Sequence, residues 1–188
     1  MKRGIGDRTI LDDFVEDFCN VVEKHVKYIV CSGFVAISHG RSRATEDIDM
    51  IIEKIPEERF IKFHNDLVKS GFECMQSSNP KEIYEDYLIN GDSVRYTRKN
   101  EFLPEMEIKF TKDELDEEQI KSRRKIPFTK LDIYFSSIES NIAFKEEYLK
   151  AEKDLEDAKH LRIIYEGKID ENEINKIKER IRRFRYGK

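Results

Sequence analysis

The sequence predicts an α+β fold: a mixed β-sheet flanked by helices, extended at its C-terminal end by a helical region. Three observations carry that expectation. Short apolar runs rich in β-branched residues, such as KYIVCS at 27–32 and IDMIIE at 48–53, alternate with stretches of helical period up to about residue 136. Beyond that point the strand-like runs stop and three helical patterns follow one another. The chain has 188 residues, enough for one sizeable core. Residues 1–136 therefore read as an α/β core with an N-terminal helix, and 137–188 as a helical region packed on it, two lobes rather than independent domains.

Each element has a local reason. Ile10, Leu11, Phe14, Val15, Phe18, Val21, Val22 and Val26 recur at helical spacing, so 8–26 reads as an amphipathic helix. KYIVCS follows as a buried strand, and SGFVAISHG offers a glycine turn and a brief helical pattern. IDMIIE is the next strand. Pro56 suits the first turn of a helix over 56–70, and Gly71 sits where that helix would stop. FECMQ at 72–76 reads as a short strand and 80–89 as a helical turn or two. SVRYTR at 93–98 and EMEIKF at 105–110 alternate in hydropathy and read as strands joined by a loop holding Asn100 and Pro104. A charged helix is expected over 112–124 and a strand over 130–135. Three helices at 137–150, 152–166 and 171–185 complete the chain.

Composition narrows the class. The net charge of −4 excludes a global nucleic-acid signature, although KIKERIRRFRYGK at 176–188 is basic and KDELDEEQ at 112–119 acidic. Both segments read as solvated helix faces; the alternative for the basic one is a docking surface for RNA or another acidic partner. Cys19, Cys31 and Cys74 have no metal-ligand spacing and read as reduced thiols, which with the absence of a membrane-length apolar run or a signal-peptide core points to a soluble, cytoplasmic protein.

Asp47 and Asp49 carry the chemistry. In a strand, residues i and i+2 share a face, so the two carboxylates project side by side while Ile48 and Met50 face the core. Their repulsion costs on the order of 1 kcal/mol unless a positive charge lies between them. A divalent cation supplies that charge, and Mg²⁺ takes few protein carboxylates while leaving positions for water and phosphate. Upstream, Ser32 and Gly33 form a small-residue turn after an apolar strand, where backbone N–H groups can approach a phosphate. Arg43 precedes the acid pair and is a candidate to hold a phosphate or to pair with Asp47.

The stretch CSGFVAISHGRSRATEDIDM resembles the signature of the DNA polymerase β-type nucleotidyltransferase superfamily, nearest in wording to its small prokaryotic AbiEii-like and minimal nucleotidyltransferase-like groups. The likeness extends through MEIKF at 106–110 and IAFKEEYLKAEKDLEDAKHL at 142–161, and so covers most of residues 27–161. It implies a nucleotidyltransferase-like sheet and transfer of a nucleoside monophosphate from a nucleoside triphosphate to a hydroxyl of a protein, an RNA such as a tRNA end, or a small molecule. A toxin–antitoxin or defence setting and a possible protein partner are further implications. Two Mg²⁺ ions are implied, held by Asp47, Asp49 and a third carboxylate, which would be Glu107. Asp132 is a rival for that place; Glu107 is preferred because its strand follows in the expected order. Ser32 and Gly33, with Arg43 and with Lys145 or Lys153, are the implied nucleotide contacts. Lys153 and Asp157 are four residues apart, so an ion pair on one helix face is the other reading for them.

The chain departs from the pattern twice. Ser32 stands where the first glycine of a pair is usual, which requires a negative φ there, and Glu107 is one methylene longer than the usual Asp. These departures keep open a second function, a binding or antitoxin module with weak or lost catalysis.

Overall fold

A computed structural model describes residues 8–42, 45 and 47–187. Helix α1 (Ile10–Val22) starts at a reciprocal cap, in which Thr9 accepts from the Asp12 backbone and Asp12 accepts from that of Thr9. Strand β1 (Tyr28–Cys31) leads through Ser32 into α2 (Gly33–Ser38), and β2 (Asp47–Ile52) follows. Helix α3 (Glu57–Lys69) begins after Pro56, and Gly71 reverses the chain at φ 88° into β3 (Phe72–Cys74). The next helical segment opens at Pro80–Glu82 (α4), widens to a π-turn over Ile83–Tyr87 and tightens to a 3₁₀ turn over Leu88–Asn90. Strands β4 (Val94–Arg98) and β5 (Glu105–Phe110) precede α5 (Glu114–Lys121).

After α5 the structure departs from the sequence reading. A two-residue strand β6 (Arg124–Lys125) and a 3₁₀ turn (Pro127–Thr129) intervene, and the strand expected over 130–135 is reduced to β7 (Tyr134–Phe135). Lys130 explains the loss: it closes the 3₁₀ turn in the left-handed region at φ 59°, so the extended run starts only beyond it. Helix α6 (Ile138–Phe144) continues as a π-turn over Lys145–Leu149, and α7 (Glu152–Ile164) and α8 (Glu171–Tyr186) follow.

The seven strands form one mixed sheet in the order β3-β4-β5-β2-β1-β7-β6, so the fold is the α+β arrangement of mixed sheet and flanking helices that the sequence predicts. Strands β2 and β5 run parallel, while β1 with β2 and β4 with β5 are antiparallel. One face of the sheet carries the main core. Met50, Ile108 and Tyr96 lie there, and Phe18 meets Phe72 edge to face with ring centroids 4.9 Å apart. The same apolar cluster takes in Ile142 of α6, Leu161 of α7 and Ile174 of α8. On the opposite face a small cluster of Ile29, Ile51 and Ile120 seats α5, leaving polar side chains where the C-terminal end of β1 meets the N-terminal ends of β2 and β5. Among the described residues, no helix is long and apolar enough to cross a membrane.

Candidate functional site

The site grows from strand register. Cys31 lies opposite Asp49, Asp49 opposite Glu107, and Glu107 opposite Arg95, so one row of side chains crosses β1, β2, β5 and β4 on one face. Asp47 lies opposite Glu105 in the neighbouring row. Four carboxylates thus gather on the face away from the main core, because each alternates with a buried apolar neighbour: Ile48 and Met50 on β2, Met106 and Ile108 on β5.

Asp47 is exposed, and the Thr45 hydroxyl donates to its carboxylate at 3.3 Å. Asp49 is half-buried, and its carboxyl is pushed above the usual range. Burial is the main cause, with the like charges of Asp47 and Glu107 adding to it; the Ser32 side-chain hydrogen bond and the Lys109 charge act against them. Glu107 is held by a partner absent from the sequence reading. The Arg95 guanidinium lies 3.0 Å from its Oε2 and 3.2 Å from Oε2 of Glu105.

Asp132 does not join this group. It lies beyond β1 on the approach to β7, is largely exposed, and pairs with Lys125 at 2.9 Å. Glu107 is therefore the carboxylate that the sheet sets beside Asp49.

Beside the row lies a cavity of about 250 Å³. Ser32, Asp49 and Lys109 line its floor, and Asp116 and Gln119 come from α5. Asn141, Lys145 and Tyr148 close it from the C-terminal helices. Burial raises the Asp116 carboxyl despite the Lys112 backbone N–H donating to it at 3.0 Å.

Ser32 corrects the sequence reading. It sits at φ 61°, not at a negative φ, because the chain must turn sharply from β1 into α2. Gly33, buried, opens that helix. Arg43 lies outside the described residues. Among the described residues of this loop is Arg41, whose guanidinium pairs with Asp157 and Glu156 and donates to the Lys153 carbonyl at 3.1 Å.

The two candidate lysines separate. Lys145 is 1% exposed, lies 2.9 Å from Asp157 and 3.5 Å from Asp154, and reaches the cavity wall because the π-turn beginning at Lys145 re-aims the end of α6. Lys153 is exposed on α7 and lines no part of the cavity. The expected Lys153–Asp157 pair gives way to inward pairing, since Asp157 is fully buried against Lys145 and Arg41.

Sequence reasoning passed over Lys109 and Arg95. Lys109 carried a readable signal, sharing the period-2 face of Glu107. Arg95 did not, because its facing partner depends on hairpin register.

The donor chemistry suits a hard cation: Asp47 and Asp49 offer only oxygens, and the half-buried Cys31 thiol opposite Asp49 resists ionisation because burial raises it. Among the described residues, no three His, Cys, Asp or Glu side chains converge closely enough to form a finished metal cage.

No family model matches the chain, and no curated protein matches it either. Solved structures do. The solution structure of the antibiotic-resistance factor ANT(2'')-Ia aligns at TM-score 0.55 with 11% identity, over 94% of this chain and 93% of that one. ANT(2'')-Ia in complex with adenylyl-2''-tobramycin aligns at TM-score 0.55 with 14% identity, over 95% and 99%. The chain thus has a nucleotidyltransferase-like fold along nearly its whole length.

Proposed function

We propose that the chain is a metal-dependent nucleotidyltransferase that moves a nucleoside monophosphate from a nucleoside triphosphate to a hydroxyl. The observation that carries this reading is the row Asp49–Glu107, with Asp47 on the same face, at the edge of a cavity that Lys109 and Lys145 line. The overall likeness to ANT(2'')-Ia supports it.

Asp47 and Asp49 would hold the cation, with Glu107 completing the set; two Mg²⁺ ions fit the reading, and when bound they neutralise charge on the attacking and leaving oxygens. The chain's own groups do the rest. The Ser32–Gly33 turn receives the triphosphate through backbone N–H groups. Lys109 would offset phosphate charge directly; Lys145, its charge met by Asp154 and Asp157, would fix the wall in place. The acceptor oxygen attacks the α-phosphorus as the bond to the β-phosphate oxygen breaks and pyrophosphate leaves. Glu107 would take the acceptor proton once Arg95 releases it. Positioning supplies most of the acceleration, as phosphoryl-type transfer needs little covalent help. The 1–136 core would provide the carboxylates and the 137–188 region the closing wall.

For the acceptor we favour a small hydroxyl-bearing molecule, since ANT(2'')-Ia was captured with adenylyl-2''-tobramycin; a tRNA end or a protein hydroxyl in a toxin–antitoxin or defence setting is the second choice. The test is incubation of the purified protein with Mg²⁺, α-labelled triphosphates and acceptors of each class. Transfer lost on chelation and reduced roughly a hundredfold or more by Asp49→Asn supports the proposal. Absence of triphosphate binding, unchanged in Asp49→Asn, rejects it.

A second reading has one observation behind it. The Arg95 clamp neutralises Glu107 without any metal, as a non-catalytic binding or antitoxin module would need. Co-purification with a partner protein that survives substitution of Asp47 and Asp49, in a chain without transfer activity, would favour it.

A further inference from the structure

We infer that Arg95 is a positioning residue that competes with the divalent cation for Glu107, so that the third carboxylate becomes available only as its guanidinium is displaced. The inference rests on the metal-dependent reading above. Arg95 reaches Glu107 by register, being its direct antiparallel partner on β4. Its Nε and a terminal nitrogen lie 3.1 and 3.0 Å from Oε2 of Glu107, and Nε lies 3.2 Å from Glu105. One unit of positive charge is therefore shared between two carboxylates.

Two features make the clamp releasable. The Arg95 side chain is 46% exposed, so it can swing into water without stranding a buried charge, unlike Lys145, which is 1% exposed between two carboxylates. The Arg95 backbone is fixed independently of its side chain, because its N–H donates to Gln76 Oε1 at 2.9 Å and β4 pairs with both β3 and β5. A displaced guanidinium leaves the strand, and hence Glu107, where it was.

The consequence is quantitative. When a protein's binding-competent state is only partly populated, the ligand's apparent affinity falls by that fraction. An ion pair at this exposure holds its closed form by a factor of about five. Arg95 thus raises the cation concentration at which the site fills, and Glu105 helps by keeping the guanidinium near when it leaves Glu107.

The test is titration of the full-length protein with Mn²⁺, free ion being followed by electron paramagnetic resonance. Arg95→Gln is expected to bind Mn²⁺ about three- to tenfold more tightly than the parent, with Arg95→Lys between them. Arg98→Gln, on the same strand but paired with Asp17, is expected to match the parent. A gain in affinity is a result that mere loss of a structural contact would not give. Equal or weaker Mn²⁺ binding by Arg95→Gln, with the parent binding normally, overturns this inference and leaves the proposed function standing. Failure of the parent, Arg95→Gln and Arg95→Lys alike to bind Mn²⁺ overturns both.

Discussion

Asp49 is where local chemistry is most exposed to test. Its carboxyl is raised by burial first, then by Asp47 and Glu107, so the folded protein holds that proton more tightly than the unfolded chain does. For a group raised in this way, its contribution to stability is fully present below the ordinary value of 3.8 and is lost as pH climbs through the raised one. With chelator present, the melting temperature of the parent should therefore fall relative to Asp49→Asn as pH rises above 3.8, and Mg²⁺ should close the gap. A parent-minus-variant difference that is flat with pH would count against it. Ser32 bears a second load: at φ 61° it combines an unfavourable backbone with a hydrogen bond to Asp49. Ser32→Ala keeps the strain and loses the bond, for a cost of about 1 kcal/mol. Ser32→Gly loses the same bond but relieves strain of similar size. Denaturant melts should thus show the glycine variant to be the more stable of the two.

At the scale of elements, the cavity depends on α5 and on the π-turn after α6. Helix α5 buries little apolar surface, Leu115 and Ile120 being its main anchors, so its N-cap matters. Asp113 accepts from the backbone N–H groups of Leu115 and Asp116 at 3.0 and 3.1 Å. Asp113→Ala should cost about 1 kcal/mol by chemical denaturation and, because Asp116 and Gln119 ride on this helix, should also weaken triphosphate binding measured by calorimetry. Unchanged stability would mean that α5 is held by other contacts. Periodicity made the long elements legible: α1, α3 and α8 follow the 3.6-residue repeat, and β2 and β5 follow alternation. It overran at 130–135, where Lys130 in the left-handed region delays the strand to Tyr134.

At the scale of the whole molecule, the candidate site is legible as far as single strands reach. Asp47 and Asp49 share a face by spacing alone, and the order of strands favoured Glu107 over Asp132. Register is what a lone sequence withholds. The row from Cys31 to Arg95 exists only because four strands, drawn from residues 28–110, align side by side. Likewise the helical spacing of Lys153 and Asp157 says nothing of Lys145, twelve residues from Asp157 along the chain, which packing turns into its partner. Lys145, Arg41 and Asp157 tie the C-terminal helices to the loop before β2, so the cavity wall and the acid-bearing strand are set in one network. The most direct measurement is a crystal structure of the full-length protein with Mg²⁺ and a non-hydrolysable nucleoside triphosphate. It should show an ion about 2.1 Å from oxygens of both Asp47 and Asp49, with the triphosphate against the Ser32–Gly33 turn. A nucleotide seated elsewhere, or an ion that ignores both aspartates, would contradict the account.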